Sequence, residues 1–482
     1  MSEHLDVLVV GAGISGIGAA YHLQTECPGR SYAILENREN LGGTWDLFRY
    51  PGIRSDSDMH TLGFRFQPWT EGKAIADGPS ILRYLKSTAA QHGIDRKIRY
   101  GHKVVAASWD SGDAKWTLTI ERAQTGETLE LTCNFLFMCS GYYDYEKGYT
   151  PEFPGRDRFK GEIVHPQAWT EDIDYAGKRV AVIGSGATAV TLVPSLAKTA
   201  KHVTMVQRSP SYFLPIPRVD AVADLFRRYL PESMAYAATR WKNIAVAVAF
   251  FNISRRYPAR IKKLLMDGVR KRLGPEFDVD KHFNPTYDPW DQRLCFVPDN
   301  DFFRALETQK ASIVTDHIET FTETGIKMRS GEEVDVDLIV TATGLNVVFM
   351  GGMAVTVDGA QVEIGETTAY RAIMFSNVPN LAVFFGYANA PWTLKTDLSA
   401  EFACRVLNRM DEGGYRKVVP VLDDPSVKRI PYVGLTSGYI KRALSRIPMQ
   451  GSKAPWRLRE NYPLDVLSLR HGNLDDGALR MS

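Results

Sequence analysis

An α/β fold made of two parallel-sheet units, the second carrying a helical insertion, is predicted by three features of the sequence. An apolar run, LDVLVV, stops at the glycine-rich turn GAGISG within the first sixteen residues. A second run, RVAVI, stops at the similar turn GSGATA, which begins at Gly184. A third stretch, from about Val219 to Leu273, drops the strand pattern and reads as amphipathic helix rich in Arg and Lys. Unbroken apolar runs ended by glycine mark strands that are buried on both faces of a parallel sheet.

Each element follows in order. Leu5 to Val10 is the first strand, a helix runs through Ala20 and Leu23, and SYAILE is a second strand ending at Glu36. Together they make one βαβ unit. The segment LGGTWDLFRYPGIRSDSD comes next, with turn residues that would be out of place in a core element. A long surface loop is its plain reading, but loops of this length are often functional, and it follows directly on the second strand. KRVAVIGSGATAVTLVPSLA and HVTMVQRS repeat the βαβ pattern, and VDVDLIVTATG and NLAVFFGYAN supply later strands.

Bulk properties narrow the function classes. A chain of 482 residues with 44% hydrophobic and 24% charged residues is globular and has room for two or three domains. The net charge of +2 gives no reason to expect nucleic acid. The five cysteines, Cys27, Cys133, Cys139, Cys295 and Cys404, are scattered and never spaced as CxxC. That argues against a disulfide framework, a metal site and a thioredoxin-type redox pair. The start of the chain reads as a strand rather than a leader, and the longest apolar run, Ile244 to Ile253, is too short to span a bilayer. A cytoplasmic protein is expected.

The glycine loops predict the ligands. In GAGISG, Gly11 permits the tight turn, Gly13 lets backbone amides approach a pyrophosphate, and Gly16 lets the helix pack on the strand. The helix N-terminus adds donors and partial positive charge. Glu36 closes the second strand, where a carboxylate binds a ribose hydroxyl pair. The second loop has Gly184 and Gly186, with Ala189 at the third position, and its following strand ends in Gln207 and Arg208. A carboxylate there would repel a 2′-phosphate, whereas Arg208 can grip one. FAD is therefore expected on the first loop and NADPH on the second.

At this point the sequence resembles the type I Baeyer–Villiger flavin monooxygenases. FKGEIVHPQAWT fits the family fingerprint FxGxxxHxxxW through Phe159, Gly161, His165 and Trp169. GGTWDLFRYPGIRSD resembles the family's second signature, and the two glycine loops complete the set. RYPGIRSDSDM, WDQRLC and QGSKAPWRL are similar to segments of the ethionamide-activating subgroup. Two positions depart from the pattern: Thr170 stands where Pro or Asp is usual, and Gln292 where many members carry a Lys that contacts the 2′-phosphate.

The resemblance implies an enzyme that inserts one atom of O2 beside a ketone carbonyl to give an ester or lactone, through a C4a-peroxyflavin. It implies Arg293 as the catalytic cation and Asp56 as the residue that orients it and also touches cofactor. Ser15, Thr44, Trp45, Asp46, Leu47 and Val104 match flavin-contacting positions. Arg54, Ser55 and the run Ile183, Gly184, Ser185, Gly186, Ala187, Thr188, Ala189 match nicotinamide-cofactor positions. Gly344 marks a second crossing between domains, and Asn389 and Trp392 are candidates for the substrate pocket. The fingerprint is expected to pack a linker rather than to do chemistry.

The domain reading is an FAD-binding domain at 1–148 and 345–482, an NADPH-binding domain at 149–212 and 292–344, and a helical insertion at 213–291. A small apolar ketone or a sulfur compound, with O2, is the expected substrate. An S- or N-oxygenating monooxygenase is the alternative, and a non-catalytic flavin redox sensor is a second. A disulfide reductase lacks the necessary cysteine pair. The basic run RRYPARIKKLLMDGVRKR reads as a solvated face, with weak contact to a membrane surface as the sharper reading.

Overall fold

A computed structural model describes residues 3–482. Its first unit is a nine-stranded mixed sheet. Glu3–Val10 lies at the centre of the parallel part, between Tyr32–Leu35 and Thr128–Met138. All four residues of Tyr32–Leu35 are buried, as a strand covered on both faces requires. The eleven-residue strand Thr128–Met138 serves two purposes. Its first half pairs antiparallel with Lys115–Arg122, and its second half pairs parallel with both Glu3–Val10 and Leu381–Val383. The chain thus returns to the first sheet from more than two hundred residues away, and the helix Trp392–Gly413 packs on Ile14–Glu26.

The second unit is a five-stranded, wholly parallel sheet in the order Ala311–Thr315, His202–Gln207, Arg179–Ile183, Leu338–Thr341, Glu162–Val164. The fold is therefore α/β with two Rossmann-like units. Two crossings join them. The outgoing one contains Tyr143–Gly148 and the returning one Leu345–Val347, and these segments pair antiparallel as a ribbon between the sheets.

Helices Ala221–Tyr229, Glu232–Arg256, Pro258–Leu273 and Val279–Phe283 form the insertion. Its base is a pair of parallel strands, Phe213–Ile216 and Cys295–Pro298, and Arg293 stands two residues before the second of them. Among the described residues no helix is long and apolar enough to cross a membrane, and no His/Cys/Asp/Glu cluster could hold a metal ion. All five cysteines are buried and free. Cys133 lies inside the strand Thr128–Met138, and Cys139 directly follows its end.

Candidate active site

Each glycine loop is set by its own turn and by the close approach of a neighbouring strand end. Gly11 has φ +105°, and a Cβ there would stand 2.6 Å from the Cys139 carbonyl oxygen. A Cβ at Gly16 would stand 1.9 Å from the Gly11 carbonyl oxygen, so only glycine lets the helix start this close to its strand. Gly13 is the N-cap of Ile14–Glu26 and no side chain caps the helix, which leaves its first amides free for a ligand. The second loop repeats this arrangement. Gly184 has φ +138°, and Gly186 caps Ala187–Leu196 without a side-chain acceptor.

Glu36 ends the second strand with its carboxylate buried, accepting from the Ala12 amide at 2.7 Å and the Arg38 amide at 2.9 Å. Burial pushes its carboxyl above the usual range, and those two amides oppose the rise. At the matching place in the second unit the outcome differs. The Gln207 side chain turns inward and donates to the His282 carbonyl and to Thr315 Oγ1, both at 2.8 Å. Its side chain is turned away from a cofactor because the amide ties Val279–Phe283 to the sheet, and its carbonyl accepts from the Asp316 amide at 3.0 Å. Arg208 is exposed beside it.

One cavity of about 540 Å³ connects the two loops. Gly11, Gly13, Ser15 and Glu36 line one end, and Ala187 and Thr188 line another. Thr44, Trp45, Arg54, Ser55, Asp56, Val104, Arg293 and Trp392 also line it. Gly16, Asp46, Leu47, Ile183, Gly184, Ser185, Gly186, Ala189, Gln207, Arg208 and Asn389 do not line it, and Gly186 is exposed outside it. Asp46 is buried between Arg38 at 2.5 Å and Arg49 at 3.3 Å. Ser185 bonds to the Ser209 carbonyl, and Asn389 to the Glu460 carbonyl. The segment after Gly42 is no mere surface loop. It contains the short helices Thr44–Leu47 and Met59–Leu62, and Phe48 and Tyr50 are buried.

Across the cavity the two units meet in an ion pair between Arg293 and Asp56. The Arg293 guanidinium donates to Asp56 Oδ2 at 3.2 Å. Burial works against that charge, but Tyr142, Asp56, Tyr439 and Tyr143 outweigh it and raise the guanidinium above its ordinary value. Trp392 Nε1 donates to Ser15 Oγ at 2.8 Å, and Tyr142 stacks on the indole at 5.3 Å. Tyr142, Tyr143 and Tyr145 were not singled out from the sequence. All three line the cavity. Their signal was available: GYYDYE follows directly on the C-terminal end of a parallel strand, where ligands of such sheets bind.

Arg54 faces the same cavity but is bound to Asp301 of the second unit. The short helix after Asp56 is gripped from the insertion. Asn243 donates to the N-cap Asp58 at 2.8 Å. Arg240, buried, donates to the His60 carbonyl at 2.9 Å and the Gly63 carbonyl at 2.8 Å.

The fingerprint segment lies on the crossings. His165 Nε2 stands 3.1 Å from the Gly344 carbonyl, and Nδ1 accepts from the Gln167 amide at 3.1 Å. A Cβ at Gly148 would stand 1.9 Å from the His165 ring. His165 thus touches both crossings at once, which only a neutral imidazole with its proton on Nε2 satisfies. Burial depresses its pKa, favouring that form. Trp169 is buried in the core of the second unit, with Tyr175 at 5.9 Å edge-on.

Comparison with known proteins agrees with this geometry. The flavin-binding monooxygenase-like family profile matches residues 75–407, and an NAD(P)-binding Rossmann-like domain profile matches residues 9–73. The chain is 54% identical over 483 aligned residues to the FAD-containing monooxygenase EthA of Mycobacterium tuberculosis, covering 100% of this chain and 98% of that one. It is 48% identical to the probable FAD-binding monooxygenase AlmA of Acinetobacter baylyi, covering 99% and 96%. Among solved structures, an oxidized steroid monooxygenase bound to NADP superposes with a TM-score of 0.78 at 22% identity, covering 99% of each chain. An ε-caprolactone-bound cyclohexanone monooxygenase gives 0.77 at 20% identity, covering 100% of each. These two share the fold. The coverage and identity of the curated relatives, with the family profile over most of the length, establish that this chain belongs to the flavin-binding monooxygenase-like family.

Proposed function

We propose that the chain is a Baeyer–Villiger monooxygenase that holds FAD on its first glycine loop and NADPH on its second. The observation that carries this reading is the Arg293–Asp56 pair, a fixed cation on the wall of the cavity onto which both loops open. The residues suit both cofactors. Gly13 at an uncapped helix start, and Glu36 at the strand end, suit the pyrophosphate and ribose of FAD. At Gly186 an added Cβ would meet no protein atom within 4 Å, so that side of the second loop is open to a dinucleotide. Arg208 beside it suits a 2′-phosphate.

Bound flavin, once reduced by the nicotinamide, supplies activation of O2 and transfer of one oxygen atom. The chain's own residues do the rest. Arg293 lowers the proton affinity of an anion formed beside it and stabilises negative charge that develops on a substrate carbonyl oxygen. Asp56 orients the guanidinium, and Arg54 and Ser55 bear on the nicotinamide. Tyr142, Tyr143 and Trp392 give the cavity an aromatic wall that excludes water. Thr44, Trp45, Asp46, Leu47 and Val104 shape the flavin seat, Asp46 and Leu47 from behind it. His165 holds the two crossings together as a positioning residue.

The apolar wall supports a small apolar ketone as substrate, with sulfides or thioamides as the second class. The experiment is to reduce the purified protein with NADPH without O2, then admit O2 with linear, cyclic and aryl ketones and with sulfides. Esters or lactones matching the NADPH consumed are expected. Sulfoxides alone would move the assignment to the S-oxygenating branch, and NADPH oxidation independent of any substrate would refute it.

A further inference from the structure

The helical insertion carries a charge that the rest of the chain does not. The insertion, residues 213–291, contains fourteen Lys and Arg against nine Asp and Glu, a net +5 in a chain whose totals are 58 and 56. The remaining residues therefore carry −3. Such asymmetry marks one face for an anionic partner.

The same helices expose apolar side chains. On Ala221–Tyr229, Val222, Leu225 and Tyr229 are exposed at a spacing that places them on one helix face. On Glu232–Arg256, twelve consecutive residues, Asn243 to Ser254, carry no charge. Exposed there are Val246 at 62% and Ile253 at 48%, with Trp241 just before them at 49%. These two helices pack on each other, so the apolar positions belong to one hairpin. A long helix with a charge-free exposed stretch is unusual on a surface that meets only water.

Several cations of these helices make no ion pair among the described residues, although Lys242, beside Trp241, is held by Asp220. Arg228 lies over the exposed Tyr229 ring, and Arg256 and Arg260 flank the ring of Tyr257. Neither these three nor Lys263 makes an ion pair among the described residues, whereas Arg227, Arg255, Arg270 and Arg272 all do. The basic run after Ser254 is thus partly a solvated, paired face: Pro258–Leu273 buries Ile261, Leu265, Met266 and Val269 inward. Most of the exposed apolar side chains lie on the two helices before it, with Leu264 exposed on this one.

We propose that the insertion is a docking surface for an anionic lipid bilayer. Tyr229, Trp241, Val246 and Ile253 would enter the headgroup boundary, and Arg228, Arg256, Arg260 and Lys263 would meet lipid phosphates. A bilayer suits the observations better than a second copy of the chain, because two faces of net positive charge repel each other. The helices lie on the membrane without crossing it. The proposal is independent of the active-site reading, so an apolar substrate drawn from the membrane would be a consequence and not a premise.

The test is flotation of the FAD-loaded enzyme with phosphatidylcholine vesicles, plain or containing about one-third phosphatidylglycerol. Binding to the acidic vesicles is expected, weakening with salt and by about fivefold for each of Arg228, Arg256, Arg260 and Lys263 replaced by Ser. The pair Val246→Glu and Ile253→Glu should abolish it while turnover with NADPH in solution is unchanged, which shows that the variant is folded. Equal binding to plain vesicles, no binding at low salt, or undiminished binding by the double Glu variant would each overturn it. So would concentration-dependent dimerisation that the same variant abolishes, which would assign the face to a second copy.

Discussion

Replacing Arg293 by Ala removes the one guanidinium that the second unit places against Asp56. At 3.2 Å, an effective dielectric of 20 gives about 5 kcal/mol for the pair. Arg293 is 36% exposed and Asp56 51%, so solvent screening reduces its worth to folding to about 1 kcal/mol or less. The pair is therefore a weak element of stability, and its value lies in the direction of the cation. Arg293→Ala should shift Tm by no more than about 1–2 °C. Oxygenated product should fall by about 10²- to 10³-fold, the usual cost of removing an electrostatic contact to developing charge. Flavin content and anaerobic reduction by NADPH should persist, since neither needs that cation. Asp56→Asn leaves the charge in place, with Tyr142 and Tyr143 still around it, and should lose only about tenfold. Stopped-flow reduction without O2, followed by product analysis in air, separates the two halves. Product at the unaltered rate from Arg293→Ala, or loss of reduction in step with product, refutes the assignment.

Four further outcomes follow from particular contacts. Gly186→Ala should fold normally, because its Cβ meets no protein atom within 4 Å, yet raise the KM for NADPH at least about tenfold by pushing the pyrophosphate off the loop. Gly16→Ala, whose Cβ would stand 1.9 Å from the Gly11 carbonyl, should instead cost about 1–3 kcal/mol in urea unfolding and lose flavin. Arg240→Met removes two charge-assisted bonds to the His60 and Gly63 carbonyls and should cost about 3–6 kcal/mol, with partial recovery in Arg240→Lys. His22 is buried, which opposes its charge, but Asp397 and Glu26 outweigh burial and raise its pKa to about 9. Its folded pKa thus lies above the unfolded value, so its contribution of about 3 kcal/mol is complete below about pH 6.5 and lost as pH rises through about 9. Denaturation midpoints between those pH values should fall in the parent and stay flatter in His22→Gln.

Much of the site was legible because it is local. GAGISG and GSGATA dictate their own backbone: a glycine at φ +105° or +138°, and a helix that begins without a capping side chain, are decided within a few residues. Glu36 was placed by strand length alone. Gln207 shows the limit of that reasoning. It occupies the corresponding strand end, but its side chain turns to His282 and Thr315, partners that only the packing of the insertion supplies. The tyrosines at 142, 143 and 145 are legible only once the strand before GYYDYE is recognised as parallel, because ligands bind at the C-terminal ends of such strands.

The sequence by itself determined two dinucleotide loops, their order, the helical insertion and, through the fingerprint resemblance, a flavin monooxygenase. Those properties depend on short-range sterics, helix dipoles and patterned burial, which neighbouring residues settle among themselves. Only the tertiary structure decided that His165 touches Gly148 and Gly344 together and that Arg240 grips the helix after Asp56, and it closes across 237 positions the Arg293–Asp56 pair that the resemblance implied. Contacts between residues so far apart in the chain depend on how two sheets and an insertion pack. No local preference encodes that packing.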